Sequence, residues 1–263
     1  MARLRTCDII NLMVHHAGET QHVGFTKKDA YNKLATIECG QNIETDSEGL
    51  LGYLTSRIDT IDPNMYVRYA IDDQDRLCHL LWSDGTSQYD YHCFSDALAF
   101  NTTYRINAFN KPLVIFVGVN NHFKTCVFSF GLLQNEKTET YVWVLQTFLH
   151  CMNGLAPNVV VTDGNNTMKL IIAQCLPGAM YCLCKWHLST NVALHIKHPQ
   201  FSQAFKKFLY TRYNIPEWYD KWSALKDNFN LENDEWLADT YERRNQWADA
   251  FLRKHFFGGM YTT

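Results

Sequence analysis

Val159-Val160-Val161-Thr162-Asp163-Gly164-Asn165 is the stretch on which the fold turns. Three consecutive valines leave no polar face, so the run suits a short strand buried on both sides, as in the middle of an α/β sheet. Gly164 and the two asparagines after it break the strand, and Asn166–Gln174 is predicted as the next helix. Upstream, Thr138–Asn153 is predicted as a helix with Val142, Leu145, Phe148, Leu149 and Met152 on one face, stopped by Gly154 and Pro157. Before that helix, Ala97–Tyr104, Leu113–Val119 and Thr125–Leu133 read as three consecutive strands, with turns at Asn107–Lys111 and Asn120–Lys124.

Further out the signals are simpler. Thr26 is predicted to cap a helix starting near Phe25, and Glu48–Ile58 carries Leu50, Leu51, Leu54 and Ile58 at helical spacing. Met65–Ile71 and Leu77–Trp82 flank the turn Asp72-Asp73-Gln74-Asp75 and form a hairpin. Tyr181–Leu183 is a short candidate strand, and everything after Trp186 is predicted helical. The expected division is 1–60 helical and linker, 61–93 a hairpin lead-in, 94–200 the core, and 201–263 a helical C-terminal part. Three antiparallel strands, a helix, a buried strand and a helix give the order of a ribonuclease-H-like mixed sheet, one of several α/β arrangements this pattern allows.

The chain has 263 residues, 46% of them apolar and 14% aromatic, enough to bury a sizeable core. The apolar run Pro112–Val119 is far shorter than the roughly 18 residues a membrane span needs. The basic start lacks the apolar stretch of a secretory signal. Nine cysteines, an odd number without regular spacing, are read as reduced thiols. Residues 1–93 carry net −6, 94–184 net +1 and 185–263 net +2. That balance argues against a chain built to coat a phosphate backbone.

Asp163 stands at the carboxyl end of the buried strand, where open α/β sheets hold ligands. Capping of the following helix is the competing role. A two-metal phosphoryl-transfer site needs two or three carboxylates converging on cations about 4 Å apart. The first core strand offers an amide, Asn101, and Asp96 lies on its opposite pleat. Cys184-Lys-Trp-His187 has zinc-ligand chemistry, with His195 and His198 available for recruitment, yet a packed Cys/Trp/His cluster explains the same residues. Glu217 is a candidate third carboxylate on the helix Pro216–Leu225, where a solvated face is the default. The C-terminal aromatics are read as core, not as a base-stacking platform. No Walker sequence, no Gly-x-Ser-x-Gly and no defensible Ser/His/Asp order occurs.

In combination these pieces resemble a family. Phe94-Ser-Asp-Ala-Leu-Ala-Phe-Asn-Thr-Thr-Tyr-Arg-Ile-Asn, Phe116-Val-Gly-Val-Asn-Asn-His, Tyr141-Val-Trp-Val-Leu, Val161-Thr-Asp-Gly and Cys184-Lys-Trp-His187 are similar to the transposase-derived domain of Mutator-like elements. The variant is that of the plant far-red-impaired-response and far-red-elongated-hypocotyl proteins, and Val23–Asn32 and Phe256–Thr263 agree with it. The resemblance implies a ribonuclease-H-like fold with an Asp-Asp-Glu triad. The triad maps to Asn101 as a degenerate first acid, Asp163 as the second and Glu217 as the third, with the Cys184/His187 pair between the last two. It implies Asp163 and Glu217 as ligands for at most one weakly held divalent ion. Two departures stand out: Tyr181 and Cys182 replace a His-Arg pair, and Ser95 replaces a glycine. The flanking zinc modules of the family are not recognisable, which implies a fragment or a truncated relative. The function implied is a domesticated, inactive domain of a nuclear transcription regulator, without membrane association. Its partners would be proteins of its own family and its DNA affinity weak. The alternatives are an active Mg²⁺-dependent transposase and a decayed element product.

Overall fold

The computed structural model describes residues 46–103 and 111–253. The helix expected from Phe25, the cap Thr26 and the motif Phe256–Thr263 lie outside them. Seven strands form one mixed sheet: β1 (Tyr66–Ile71), β2 (Leu77–Ser83), β3 (Ala97–Thr103), β4 (Leu113–Val119), β5 (Thr125–Leu132), β6 (Val159–Thr162) and β7 (Met180–Leu183). Their order is β1-β2-β5-β4-β3-β6-β7. The first four pairings are antiparallel, and β3–β6 and β6–β7 are parallel. The architecture is mixed α/β, as expected, and the lead-in hairpin β1–β2 extends the same sheet through β5.

Helices α1 (Asp46–Thr60), α2 (Gly85–Phe94), α3 (Thr138–Cys151) and α4 (Asn166–Cys175) precede a helical C-terminal third. That third holds α5 (Lys185–His195), α6 (Pro199–Tyr210), α7 (Ile215–Asp227), α8 (Glu235–Glu242), a 3₁₀ turn (Arg244–Gln246) and α9 (Asp249–Leu252). Helix α2 is an element the sequence reading lacked. Its ten residues bury Tyr91 alone, so they show no apolar stripe, and its start rests on Asp84, whose carboxylate accepts from the Ser87 N–H at 2.7 Å. The C-cap Ser95 has ordinary right-handed backbone, so nothing there requires a glycine.

Strand alternation sorts the side chains into two layers. On one face Leu98, Phe100, Val114, Phe116, Phe128 and Val160 meet Tyr91 of α2, Tyr141, Val144, Leu145 and Phe148 of α3, and Met168, Ile171 and Ile172 of α4. On the other face Ala97, Ala99, Val159, Val161, Cys182 and Cys184 pack with Leu252 of α9. Every residue of β6 is buried, because both its edges are paired and both its faces covered. A separate aromatic core, built on Phe201, Phe205, Trp218, Trp222 and Trp247, binds the C-terminal helices together. Among the described residues no helix is long and apolar enough to cross a membrane.

Candidate functional site

Register decides what meets at the open end of the parallel strands. Ala97 pairs with Val159, Leu98 with Val160 and Ala99 with Val161, a constant interval of 62. Asn101 and Asp163 are also 62 apart, so the same register two residues on sets them side by side on the face of Ala99 and Val161. The β6–β7 pairing has an interval of 21, which sets Cys184 beside Asp163, and the Cys184 N–H donates to the Thr162 carbonyl at 2.7 Å. An amide of β3 and a carboxylate and a thiol just past the ends of β6 and β7 therefore stand in a row across three adjacent strands, which in a sheet run about 4.8 Å apart.

His187 closes this row. It lies one turn into α5, the helix that Cys184 begins, and its Nε2 is 3.3 Å from the Asn101 amide nitrogen. Its other ring nitrogen is buried without a well-aligned partner. A side-chain hydrogen bond with Cys184 raises the His187 pKa, burial opposes it, and the charges of Cys184 and Asp163 add to the rise. Asp163 does not cap α4. That role falls to Asn165, whose side chain accepts from the Thr167 N–H at 2.8 Å, while Asp163 Oδ1 accepts from the Asn165 N–H at 3.3 Å.

Beside the row is a cleft of about 170 Å³ lined by Asn101, Thr102, Glu136, Tyr141, Asp163 and Asn165, among others. Across it the Tyr141 hydroxyl donates to Glu136 Oε1 at 3.0 Å and sits 2.7 Å from Thr102 Oγ1. Burial pushes the Tyr141 hydroxyl well above the usual tyrosine range, and the charges of Glu136 and Asp163 push the same way. Glu136 is a carboxylate the sequence reading passed over. Residues 94–184 hold only four acids, so it was one of three alternatives to Asp163, but nothing in its local sequence marks it.

Residues 97–191 match the MULE transposase domain. The chain is 32% identical over 225 residues to FAR-RED IMPAIRED RESPONSE 1 of Arabidopsis thaliana, covering 84% of this chain and 27% of that protein. It is 33% identical over 220 residues to FAR1-RELATED SEQUENCE 4 of the same plant, covering 82% and 30%. Against FAR1-RELATED SEQUENCE 5 the figures are 29% over 260 residues, 97% and 33%. The chain carries a MULE transposase domain of the FAR1-related type. It spans about a third or less of the length of these relatives.

The other expected site residues lie elsewhere, outside the matched residues 97–191. Glu217 starts α7 in a capping box: its carboxylate accepts from the Asn214 N–H at 3.0 Å and the Asn214 side chain accepts from the Glu217 N–H at 2.9 Å. It does not line the cleft. The run Asn214-Ile-Pro-Glu217 was a readable signal for that structural duty. Asp96 accepts from the Asn158 side chain at 3.0 Å, below the row. His195 stacks on Trp236, and His198 caps α6 by accepting from the Phe201 N–H, so neither joins Cys184 and His187. Among the described residues no group of three or more His, Cys, Asp or Glu side chains converges as metal ligands do. A pair of divalent cations does not fit the row, which offers one carboxylate, one neutral amide and one thiol.

Proposed function

We propose that this MULE-derived domain is a catalytically inactive, ribonuclease-H-like scaffold within a nuclear transcription regulator of the far-red-response type, acting through protein contacts that include self-association. One observation carries the reading: Asn101 of β3 stands at the register position beside Asp163, where a two-metal enzyme needs a second charge. Two cations held close together repel strongly, and anionic ligands are what make double occupancy tolerable. An amide supplies an oxygen but no charge. Glu136, the other carboxylate of the cleft, is already engaged by the Tyr141 hydroxyl. The relatives' names support the regulatory half of the reading, since one of them is named for a far-red response.

Two measurements test inactivity together: Mn²⁺ titration by calorimetry, and nicking of a supercoiled plasmid in Mg²⁺ or Mn²⁺. The expected result is no second bound ion and no nicking. Two ions bound per chain together with nicking would establish the active transposase instead. A fluorescent fusion in plant cells reads the nuclear location, and sedimentation of the purified chain reads self-association.

A further inference from the structure

We propose that the outer edge of β1 is a self-association surface on which a second copy of this chain adds its own β1, antiparallel, across a two-fold axis at Ala70. It rests on the self-association in the reading above and gives that contact a surface. Among the described residues β1 ends the sheet, with β2 as its sole neighbour. The opposite edge strand, β7, has four residues, the last two of them buried. By contrast β1 has six and exposes Arg68, Tyr69 and Ile71. An unpaired strand edge is a template for another strand, and proteins commonly blunt it with lysine, proline or a bulge. β1 has neither lysine nor proline, and the irregularity near its end belongs to β2, where Cys78 is the extra residue between the partners of Ala70 and Ile71.

Backbone direction limits the register. The Asp72 N–H donates to the Arg76 carbonyl across the hairpin at 2.9 Å. Alternation therefore turns the amides of Tyr66, Arg68 and Ala70 towards β2 and those of Val67, Tyr69 and Ile71 outwards. Two such edges related by a two-fold axis exchange hydrogen bonds only where outward residues face outward residues. A centre at Ala70 meets that condition: Tyr69 exchanges bonds with Ile71 of the second copy, and Ile71 with its Tyr69.

The side chains favour the same centre. Tyr69 and Ile71 are 52% and 53% exposed and share one face, so two aromatic–β-branched cross-strand pairs form there. On the other face Arg68 falls opposite Asp72 of the second copy, twice by symmetry. Arg68 is exposed and makes no ion pair among the described residues. The turn it meets holds Asp72, Asp73 and Asp75 against Arg76 alone, so it stays negative. Between the charge pairs the two Ala70 side chains meet on the axis, a non-hydrogen-bonded position where strands approach most closely and a small residue fits. Moving the centre to Tyr69 or to Ile71 sets Ala70 against Arg68 or Asp72 and loses both charge pairs.

The test uses the whole chain. Sedimentation velocity between about 1 and 100 µM should show a monomer–dimer equilibrium, weak because the added contact is small. Arg68→Glu sets like charges opposite each other twice, and Ile71→Lys removes both apolar pairs. Each should raise the dimer Kd at least about tenfold while far-ultraviolet circular dichroism stays that of the natural chain. Ala70→Cys places two thiols on the axis, with Cα atoms about 4.5 Å apart, a separation a disulfide spans. Mild oxidation should then join the two position-70 thiols between chains, identified by non-reducing peptide mass spectrometry, while exposed Cys93 of α2 cross-links far less. A natural chain that stays monomeric at about 100 µM overturns the proposal together with self-association, and leaves the edge to another segment of the chain or to a different protein. A dimer indifferent to Arg68→Glu and Ile71→Lys, and without the position-70 disulfide, overturns this surface alone.

Discussion

A single side chain at position 101 separates two chemistries. Asn101→Asp would set two carboxylates beside each other at the ends of β3 and β6, each destabilising the other's charge until a cation joins them. Mn²⁺ affinity by calorimetry should then rise at least about tenfold over the natural chain. Unchanged affinity would mean that the strand ends are not positioned as ligands. Cys182 gives a second expectation. Its thiol is held up to about 12 by burial against an ordinary 9.0. A folded-state value above the unfolded one contributes stability that is complete below the unfolded value and is lost as pH rises towards the folded one. Denaturant midpoints should therefore fall between pH 9 and pH 12, and Cys182→Ala should flatten that slope while lowering stability at neutral pH.

Among the elements, β4 carries a glycine whose reason is steric. A Cβ on Gly118 would fall 2.3 Å from Phe128 Cζ, and that ring is fully buried, edge-on to Tyr91. Gly118→Ala should cost about 1–3 kcal/mol, read as a lower Tm by differential scanning fluorimetry. Helix α7 offers a complementary case. Glu217→Ala removes half of the capping box with Asn214, so it should cost about 1 kcal/mol of stability. Divalent-ion affinity should be untouched, because the carboxylate serves its own helix. Loss of Mn²⁺ binding in that variant would return Glu217 to the cleft.

At the scale of the molecule, two cores with different chemistry are joined at one sheet edge. The aliphatic and phenylalanine core lies between the sheet and α2, α3 and α4. In the aromatic core Trp222 is 3% exposed and stacks on Trp218 at 5.4 Å, with Phe205, Phe208 and Trp247 around it. Trp222→Ala should cost about 3–5 kcal/mol and lower Tm by roughly 10 °C. Leu252 of α9 packs on the sheet face that carries Asn101, Asp163 and Cys184, and the Lys185–Asp249 ion pair joins α9 to the start of α5. Charge is balanced at this scale too. With no third of the chain exceeding net +2, gel-shift affinity for duplex DNA should be weak and fall steeply with salt.

Local patterning determined the elements. Runs separated by turn residues marked β3, β4 and β5, the all-apolar Val159–Val161 marked a strand covered on both faces, and the break at Gly164 marked its end. Even the equal intervals that pair Asn101 with Asp163 are present in the numbering, although they acquire meaning only once β3 and β6 are known to be neighbours. Helix α2 escaped because one buried tyrosine in ten residues leaves no periodic signal. The site divided in the same way. Asp163 was legible from its place at a strand end, whereas Glu136 was not, because it enters the cleft through Tyr141, whose hydroxyl meets Thr102 from another strand. The capping duty of Glu217 is local and was written in Asn214-Ile-Pro-Glu217, whereas tertiary structure alone decided that His187 turns back to Asn101. Contacts between residues 86 positions apart depend on where a helix docks on a sheet edge, and no periodicity within either segment encodes that.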